Sequence, residues 1–179
     1  MKRMLTFLAL LILTLSTPAY SLNEDAEQQH KTKLIRYLVN KVSWPAGSVP
    51  RSRFNVCVLG DPGDIKIVEK LNGLKIKKHK LVVKDISGYD KAASCQLVYV
   101  LNKTTPEQQT LIKKYAKAPV LLLGDMEHFA NLGGSMNFVV LKNTVALTVN
   151  LESMKRSKLI LDSKELDQVI LLPDEKDLE

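Results

Sequence analysis

The sequence predicts a single α/β domain with a mostly parallel central sheet, helices on both faces, and a C-terminal antiparallel hairpin plus a terminal helix. Apolar, strand-like segments alternate with helical ones between residues 53 and 124, which is typical of parallel strands joined by right-handed crossovers. After residue 133 two strand-like segments follow each other directly, as in a hairpin. The 179 residues, of which 45% are hydrophobic and 25% charged, suit one globular domain.

The first 21 residues have the pattern of a cleaved signal peptide. Lys2 and Arg3 precede an uncharged, mainly apolar run over residues 4–15, which is shorter than the roughly 18 residues of a membrane-spanning helix. Small residues before the predicted cleavage point, after about Ser21, complete the pattern. We therefore expect the mature protein to be exported.

The predicted mature chain consists of one domain at residues 22–172 and an acidic, flexible tail at residues 173–179. The signal segment carries two basic residues and no acidic one, so its removal lowers the formal charge from +7 to +5. Export also removes intracellular nucleic acid as a partner, despite the basic charge.

The first half of the domain begins with an amphipathic helix over residues 23–42, which the Trp44-Pro45 pair ends. The expected elements after it are a strand at 53–59, a short helix through 65–71, one or two strands within 71–86, a polar loop at 88–94 and a buried strand at 95–101.

The second half begins with a helix that Thr105 caps and in which Pro106 takes the first helical position. The elements expected after it are a buried strand at 119–123, hairpin strands at 135–141 and 144–150, and a helical region from about Leu151 to Leu172, interrupted near residues 161–163.

Two cysteines, Cys57 and Cys95, lie 38 positions apart in a chain with no third cysteine. In an oxidising compartment such a pair most simply forms one disulfide. The spacing is not Cys-x-x-Cys, so a thioredoxin-like catalyst is disfavoured. A structural bridge and a bridge that also acts as a redox switch both remain open.

A basic segment contains Lys75, Lys77, Lys78 and Lys80. If it forms one strand, Lys75 and Lys77 lie on one face, and Lys78 lies on the other with Ile76. One interpretation is a solvated edge strand that lysines protect from self-pairing. The alternative is contact with anionic lipid headgroups or an acidic partner.

Two further features have a structural and a binding interpretation. Trp44 is the only tryptophan; it either packs under the sheet edge or contacts a ligand or partner. Gly133 and Gly134 either supply special backbone geometry or allow a ligand to approach the backbone closely.

Signals of catalysis, of a cofactor or of a metal site are weak. The three histidines are far apart in sequence, and acidic residues after strands are common turn formers. The chain lacks a Gly-x-Ser-x-Gly elbow and a Walker-type phosphate loop. We expect no cofactor, no metal and no catalytic residues.

Several short motifs follow one another in a characteristic order. They are Val42-Ser43-Trp44-Pro45, Phe54-Asn55-Val56-Cys57-Val58-Leu59-Gly60, Leu71-Asn72-Gly73, the strand that Cys95 opens, Gly133-Gly134-Ser135-Met136-Asn137-Phe138, and Val149-Asn150-Leu151. In their order and spacing these motifs resemble the YfiR-like family of periplasmic regulatory proteins. The resemblance extends over nearly all of residues 30–172.

This resemblance implies an exported α/β protein that tends to form a homodimer. It also implies a negative regulator that binds the periplasmic sensory region of an inner-membrane diguanylate cyclase, and so lowers cyclic-di-GMP and biofilm formation. An outer-membrane partner would relieve the repression by sequestering the regulator. The family's oxidised cysteine pair matches Cys57 and Cys95. Our candidate residues for contact with a partner or ligand are Trp44, Gly133, Gly134 and Asn137.

Two other functions stay open. A small-molecule sensory domain would have a pocket near the carboxyl ends of the parallel strands, around Gly60, residues 101–103 and Gly124-Asp125. An enzyme would require Asp125, His128 and a further polar group to converge in one cleft.

Overall fold

The computed structural model describes residues 24–141, 144–162 and 169–172. The predicted signal peptide and the predicted acidic tail both lie outside the described residues. Within the described part, no helix is long and apolar enough to cross a membrane.

The described residues form three α-helices and ten strands, besides short 3-10 helices. The helices are α1 (Glu24–Lys41), α2 (Thr105–Tyr115) and α3 (Leu151–Arg156). The strands are β1 (Val42–Ser43), β2 (Arg53–Leu59), β3 (Lys75–Ile76), β4 (His79–Asp85), β5 (Leu97–Val100), β6 (Leu121–Gly124), β7 (Met136–Leu141), β8 (Thr144–Val149), β9 (Ile160–Leu161) and β10 (Val169–Leu171).

Eight of these strands form one mixed sheet in the order β10-β8-β7-β6-β5-β2-β4-β3. Five adjacent strands of this sheet, β4, β2, β5, β6 and β7, run parallel to one another. β7 and β8 form the predicted antiparallel hairpin, and β3 is antiparallel to β4. β1 and β9 form a separate antiparallel pair.

Helices cover both faces of the sheet. The larger core lies on the α1 side, where Ile35 and Leu38 pack over residues such as Val56 and Leu147. The smaller core lies on the α2 side, where Leu111 packs with other buried residues near the cysteine pair. The α/β class, the mostly parallel sheet and the hairpin are therefore confirmed.

The predicted C-terminal helical region is wrong over most of its described length. α3 ends at Arg156, Ile160–Leu161 pairs with β1, and Val169–Leu171 pairs in parallel with β8. Short apolar runs satisfy helix and strand patterns equally well, and here the open backbone edges of β1 and β8 decide for strand. The interruption predicted near 161–163 falls partly outside the described residues.

Smaller differences affect the ends of other elements. Two 3-10 helices, Asp64–Ile67 and Glu69–Leu71, replace the short helix after β2, and Tyr89–Ser94 is a 3-10 helix instead of a loop. The N-cap of α2 is Thr104 instead of Thr105, because Thr104 and Glu107 form a capping box.

Candidate functional site

A cleft of about 630 Å³ lies at the carboxyl end of β6 and extends along β7 toward the β10 edge of the sheet. We call it the edge cleft. One end is polar and carries Lys31 of α1 and Asp125, which directly follows β6. The other wall is apolar, and its residues are Phe138, Val139, Val140, Leu141, Ile170 and Leu172.

Lys31 is the centre of a buried ion-pair cluster at the polar end. Its ammonium Nζ lies 2.7 Å from Oδ1 of Asp125 and 2.6 Å from Oε1 of Glu27, one helical turn earlier. It also lies 5.9 Å from the ring centroid of Phe138. Only 7% of the Lys31 side chain is exposed. The cluster therefore joins α1 to the central sheet.

The ion pairs keep Lys31 charged. Burial opposes its charged form, but the hydrogen bonds and charges of Asp125 and Glu27 outweigh this and raise the pKa of Lys31. A lysine held protonated in this way binds anionic groups and does not serve as a base or a nucleophile at neutral pH.

Tyr99 of β5 lies next to this cluster. Its side chain is fully buried, and its hydroxyl has no hydrogen-bond partner of good geometry among the described residues. Burial, and then the negative charge of Asp125, raise the pKa of Tyr99 far above its ordinary value. Tyr99 therefore stays neutral throughout the physiological range.

Asp125 and His128, the pair required by the enzyme hypothesis, both line the edge cleft, together with Asn137 and Thr148. Asp125 is engaged by Lys31, whereas His128 is exposed with a left-handed backbone, φ 62°. The polar groups thus converge, and the arrangement can orient a bound molecule or peptide segment by charge and hydrogen bonding.

The other part of the predicted crevice, around Gly60 and residues 101–103, is occupied by local contacts. The Asp64 carboxylate accepts a hydrogen bond from the Asp61 backbone, 2.8 Å, and the Asn102 amide lies 3.4 Å from it. A Cβ at Gly60 would lie 2.3 Å from that carboxylate. The open space is therefore at Asp125, not at Gly60.

Asn137 is buried in β7 and fastens the loop beside the cleft. Its Oδ1 accepts from the Ala130 backbone N–H at 3.1 Å, and its Nδ2 donates to the Phe138 carbonyl at 3.0 Å. It lines the edge cleft as well. Both polar atoms of the Asn137 side chain are thus hydrogen-bonded within the protein. A role for Asn137 in contacting a partner or ligand remains a prediction.

Gly133 and Gly134 end the same loop. Gly133 has φ 104°, and its carbonyl accepts a hydrogen bond from Ser153 Oγ at 2.8 Å. A Cβ on Gly134 would lie 2.3 Å from the ring of Phe129 and 2.8 Å from the Phe129 carbonyl oxygen. The backbone geometry at Gly133 and the close contact at Gly134 therefore each explain why the residue is glycine, and neither residue lines the edge cleft.

Trp44 is half-buried after β1, at a distance from the edge cleft. Its indole N–H donates to the Gln96 carbonyl at 3.2 Å, and its ring meets Phe54 edge-on with centroids 4.8 Å apart. It lines a small cavity of about 290 Å³ that Lys77 and Lys78 also line. The structure thus brings Trp44 together with the basic segment.

The basic segment is a tight hairpin instead of one long strand. β3 ends at Ile76, and Lys77 and Lys78 form the turn, with Lys77 at φ 51°. The face assignment that assumes one continuous strand therefore does not apply to Lys77 and Lys78. Lys75 and Lys80 face each other directly across the hairpin.

Cys57 of β2 and Cys95, just before β5, form a disulfide with their Cα atoms 6.0 Å apart. Both residues are at most 1% exposed, within the core under α2. The described part of the chain contains no group of three or more histidine, cysteine or acidic residues suited to a metal ion.

Sequence reasoning missed the central residue of the cleft, Lys31, and its partner Glu27. A signal was present: Lys31 is four residues before Ile35, so the apolar stripe of α1, continued back one turn, points this lysine inward. A charged residue on a buried helix face requires a partner, and the topology supplies Asp125.

Comparison with curated proteins finds no significant match. The sequence profile of the YfiR/HmsC-like family matches residues 28–167, which include most of α1, the strands from β1 to β9, α2 and α3. Because this match covers well over half of the chain, the chain belongs to the YfiR/HmsC-like family.

Proposed function

We propose that this protein is a periplasmic, non-enzymatic regulator that binds the periplasmic sensory region of an inner-membrane diguanylate cyclase and represses it. Repression lowers cyclic-di-GMP and, with it, biofilm formation. The observation that carries the proposal is membership of a family of periplasmic regulatory proteins, with the match running from α1 past α3. A homodimer and an outer-membrane protein that sequesters the regulator are part of the proposal.

Repression works by differential binding. The regulator must bind the inactive conformation of the cyclase more tightly than the active one, because equal affinity for both conformations shifts nothing. A tenfold preference corresponds to about 1.4 kcal/mol of differential binding.

The edge cleft is the contact surface that we propose for the sensory region. Aliphatic side chains at its apolar wall are unusually exposed, with Val140 at 49%, Leu141 at 48% and Ile170 at 39%. Exposed apolar side chains beside a few charged groups are typical of partner surfaces. Asn137 lies inside this surface, whereas Trp44, Gly133 and Gly134 lie outside it.

Capture of the sensory region tests this surface. A Leu141→Asp substitution places a charge on the apolar wall and is expected to weaken binding at least tenfold, because a buried carboxylate requires a partner. Leu151→Asp is the matched control, since Leu151 is exposed to a similar degree, 46%, and does not line the cleft. Equal binding by both variants would contradict the assignment of this surface.

A small-molecule sensory domain is the second candidate function. The edge cleft, about 630 Å³, has the size and the mixed lining of ligand sites. A ligand-dependent rise in melting temperature that Leu141→Asp abolishes would favour it over the protein partner.

A further inference from the structure

The edge of the sheet opposite the edge cleft carries a second cleft, of about 480 Å³, between α1 and the β3–β4 hairpin. We call it the basic cleft. Lys33 and Arg36 of α1 line one side, and Lys75 and Lys77 line the other; Tyr37, Asn40 and Ile76 complete it. No carboxylate lines this cleft among the residues that the structure describes.

The four cations of the basic cleft are exposed, and none of them forms an ion pair within the described part of the chain. By contrast, Lys31, on the same helix, is paired with two carboxylates. The hairpin also places Lys75 directly opposite Lys80, a like-charge pair that costs stability. This accumulation of unpaired cations matches a polyanionic ligand.

The positive surface continues on both sides of the basic cleft. Lys33 is shared with an adjoining cavity that Lys66 and Lys70 line, together with one carboxylate, Asp25. Lys77 is shared with the Trp44 cavity, which adds Lys78. An extended band of cations fits a charged surface better than it fits one isolated anion.

The surroundings favour a lipid surface over an acidic protein. A protein interface requires an apolar centre, and the basic cleft offers only Ile76, which is 9% exposed, and the half-buried ring of Tyr37. The adjacent chain instead presents Leu74, which is 38% exposed, and the half-buried Trp44, side chains that suit the boundary between headgroups and acyl chains.

We propose that the basic cleft binds the phosphate headgroups of anionic phospholipid and holds the protein against a membrane surface. Lys31 of the edge cleft and Lys33 of the basic cleft are two positions apart on α1, which places them on opposite sides of this helix. Docking through the β3 edge therefore leaves the opening of the edge cleft on the other side of α1 free. This binding is separate from the proposed function and does not depend on the protein partner.

The test is cosedimentation of the oxidised, exported chain with vesicles of phosphatidylcholine, with and without about a third of phosphatidylglycerol. We expect binding to the anionic vesicles only, and release by salt. The triple variant K33Q/K75Q/K77Q is expected to bind roughly a hundredfold more weakly, at about fivefold for each cation removed. The control K113Q/K117Q/K155Q loses the same charge on other surfaces and is expected to stay within a few-fold of wild type.

Any one of four outcomes would overturn the proposal. The first is no binding of the protein to anionic vesicles, and the second is an equal loss of vesicle binding in the two triple variants. The third is abolition of vesicle binding by millimolar inorganic phosphate, and the fourth is capture of an acidic protein that K33Q/K75Q/K77Q loses, with no binding to vesicles. The third would assign the cleft to free phosphate, and the fourth to a protein. Unchanged denaturation midpoints in both variants establish that folding is intact.

Discussion

Lys31 of the first helix and Asp125 at the end of β6 form a buried ion pair, with Nζ and Oδ1 2.7 Å apart. The pair connects the α1 layer to the centre of the sheet and forms the polar end of the edge cleft. Since the Lys31 side chain is only 7% exposed, loss of either partner leaves a charge in poor contact with water.

Asp125→Asn is expected to destabilise the fold by about 2 kcal/mol, because Glu27 alone then compensates Lys31. The free energy of unfolding from urea titration measures the effect. Glu127→Gln is the control: Glu127 lines the same cleft but is exposed, so its loss should change stability by less than about 0.5 kcal/mol. Equal effects of the two substitutions would refute the ion-pair account.

Tyr99→Phe is expected to remove part of the loss of stability at alkaline pH. The folded-state pKa of Tyr99 is raised, so its contribution is complete below the unfolded value near 10 and is lost as the pH rises above it. Above pH 10 the unfolded chain releases this proton and the folded chain retains it. Wild type should therefore lose about 1.4 kcal/mol per pH unit from this group alone, and the variant should not.

Near neutral pH the same substitution should be neutral or slightly stabilising, because the buried hydroxyl has no hydrogen-bond partner of good geometry. Denaturant titrations at pH 7 and at several alkaline values measure both effects. A loss of more than about 2 kcal/mol at pH 7 would mean that the hydroxyl has a structural role.

Loss of the Cys57–Cys95 disulfide is expected to cost about 4 kcal/mol, since the bridge closes a loop with a sequence separation of 38. The comparison is between oxidised wild type and C57A/C95A in urea. Because both cysteines are buried, a mild reductant should act only on unfolded chains. Rapid reduction of the folded protein would instead support a redox switch.

Gly134→Ala is expected to destabilise the fold by roughly 2 kcal/mol or more, because the new methyl group meets the Phe129 ring and carbonyl. Gly88→Ala is the control, because a Cβ there meets nothing within 4 Å and the backbone is extended, with φ −153°. Thermal unfolding distinguishes them. A variant at Gly134 with unchanged stability but weakened partner capture would support the binding interpretation of this glycine.

Much of the fold could be predicted because its signals are local. Continuous apolar strands at Leu97–Val100 and Leu121–Gly124, and a Gly-Gly step before a hairpin, require no knowledge of distant contacts. The error at Ile160–Leu161 is different. These two residues become a strand only because β1, more than 100 positions earlier, presents an unpaired edge.

The candidate site was predictable only in part. Asp125 was identifiable as a residue that follows a buried strand. Its partner Lys31 was not, because α1 contributes this lysine from much earlier in the sequence. The disulfide followed from export and from the number of cysteines. Roles for Trp44, Gly133, Gly134 and Asn137 remain predictions.

The level of cyclic-di-GMP in cells that lack this protein tests the central claim most directly. Deletion of the gene should raise cyclic-di-GMP, because the cyclase loses the partner that favours its inactive state. Re-expression of wild type should restore the low level, whereas a variant that fails to capture the sensory region should not. An unchanged level after deletion, together with no capture of any membrane sensor, would contradict the account.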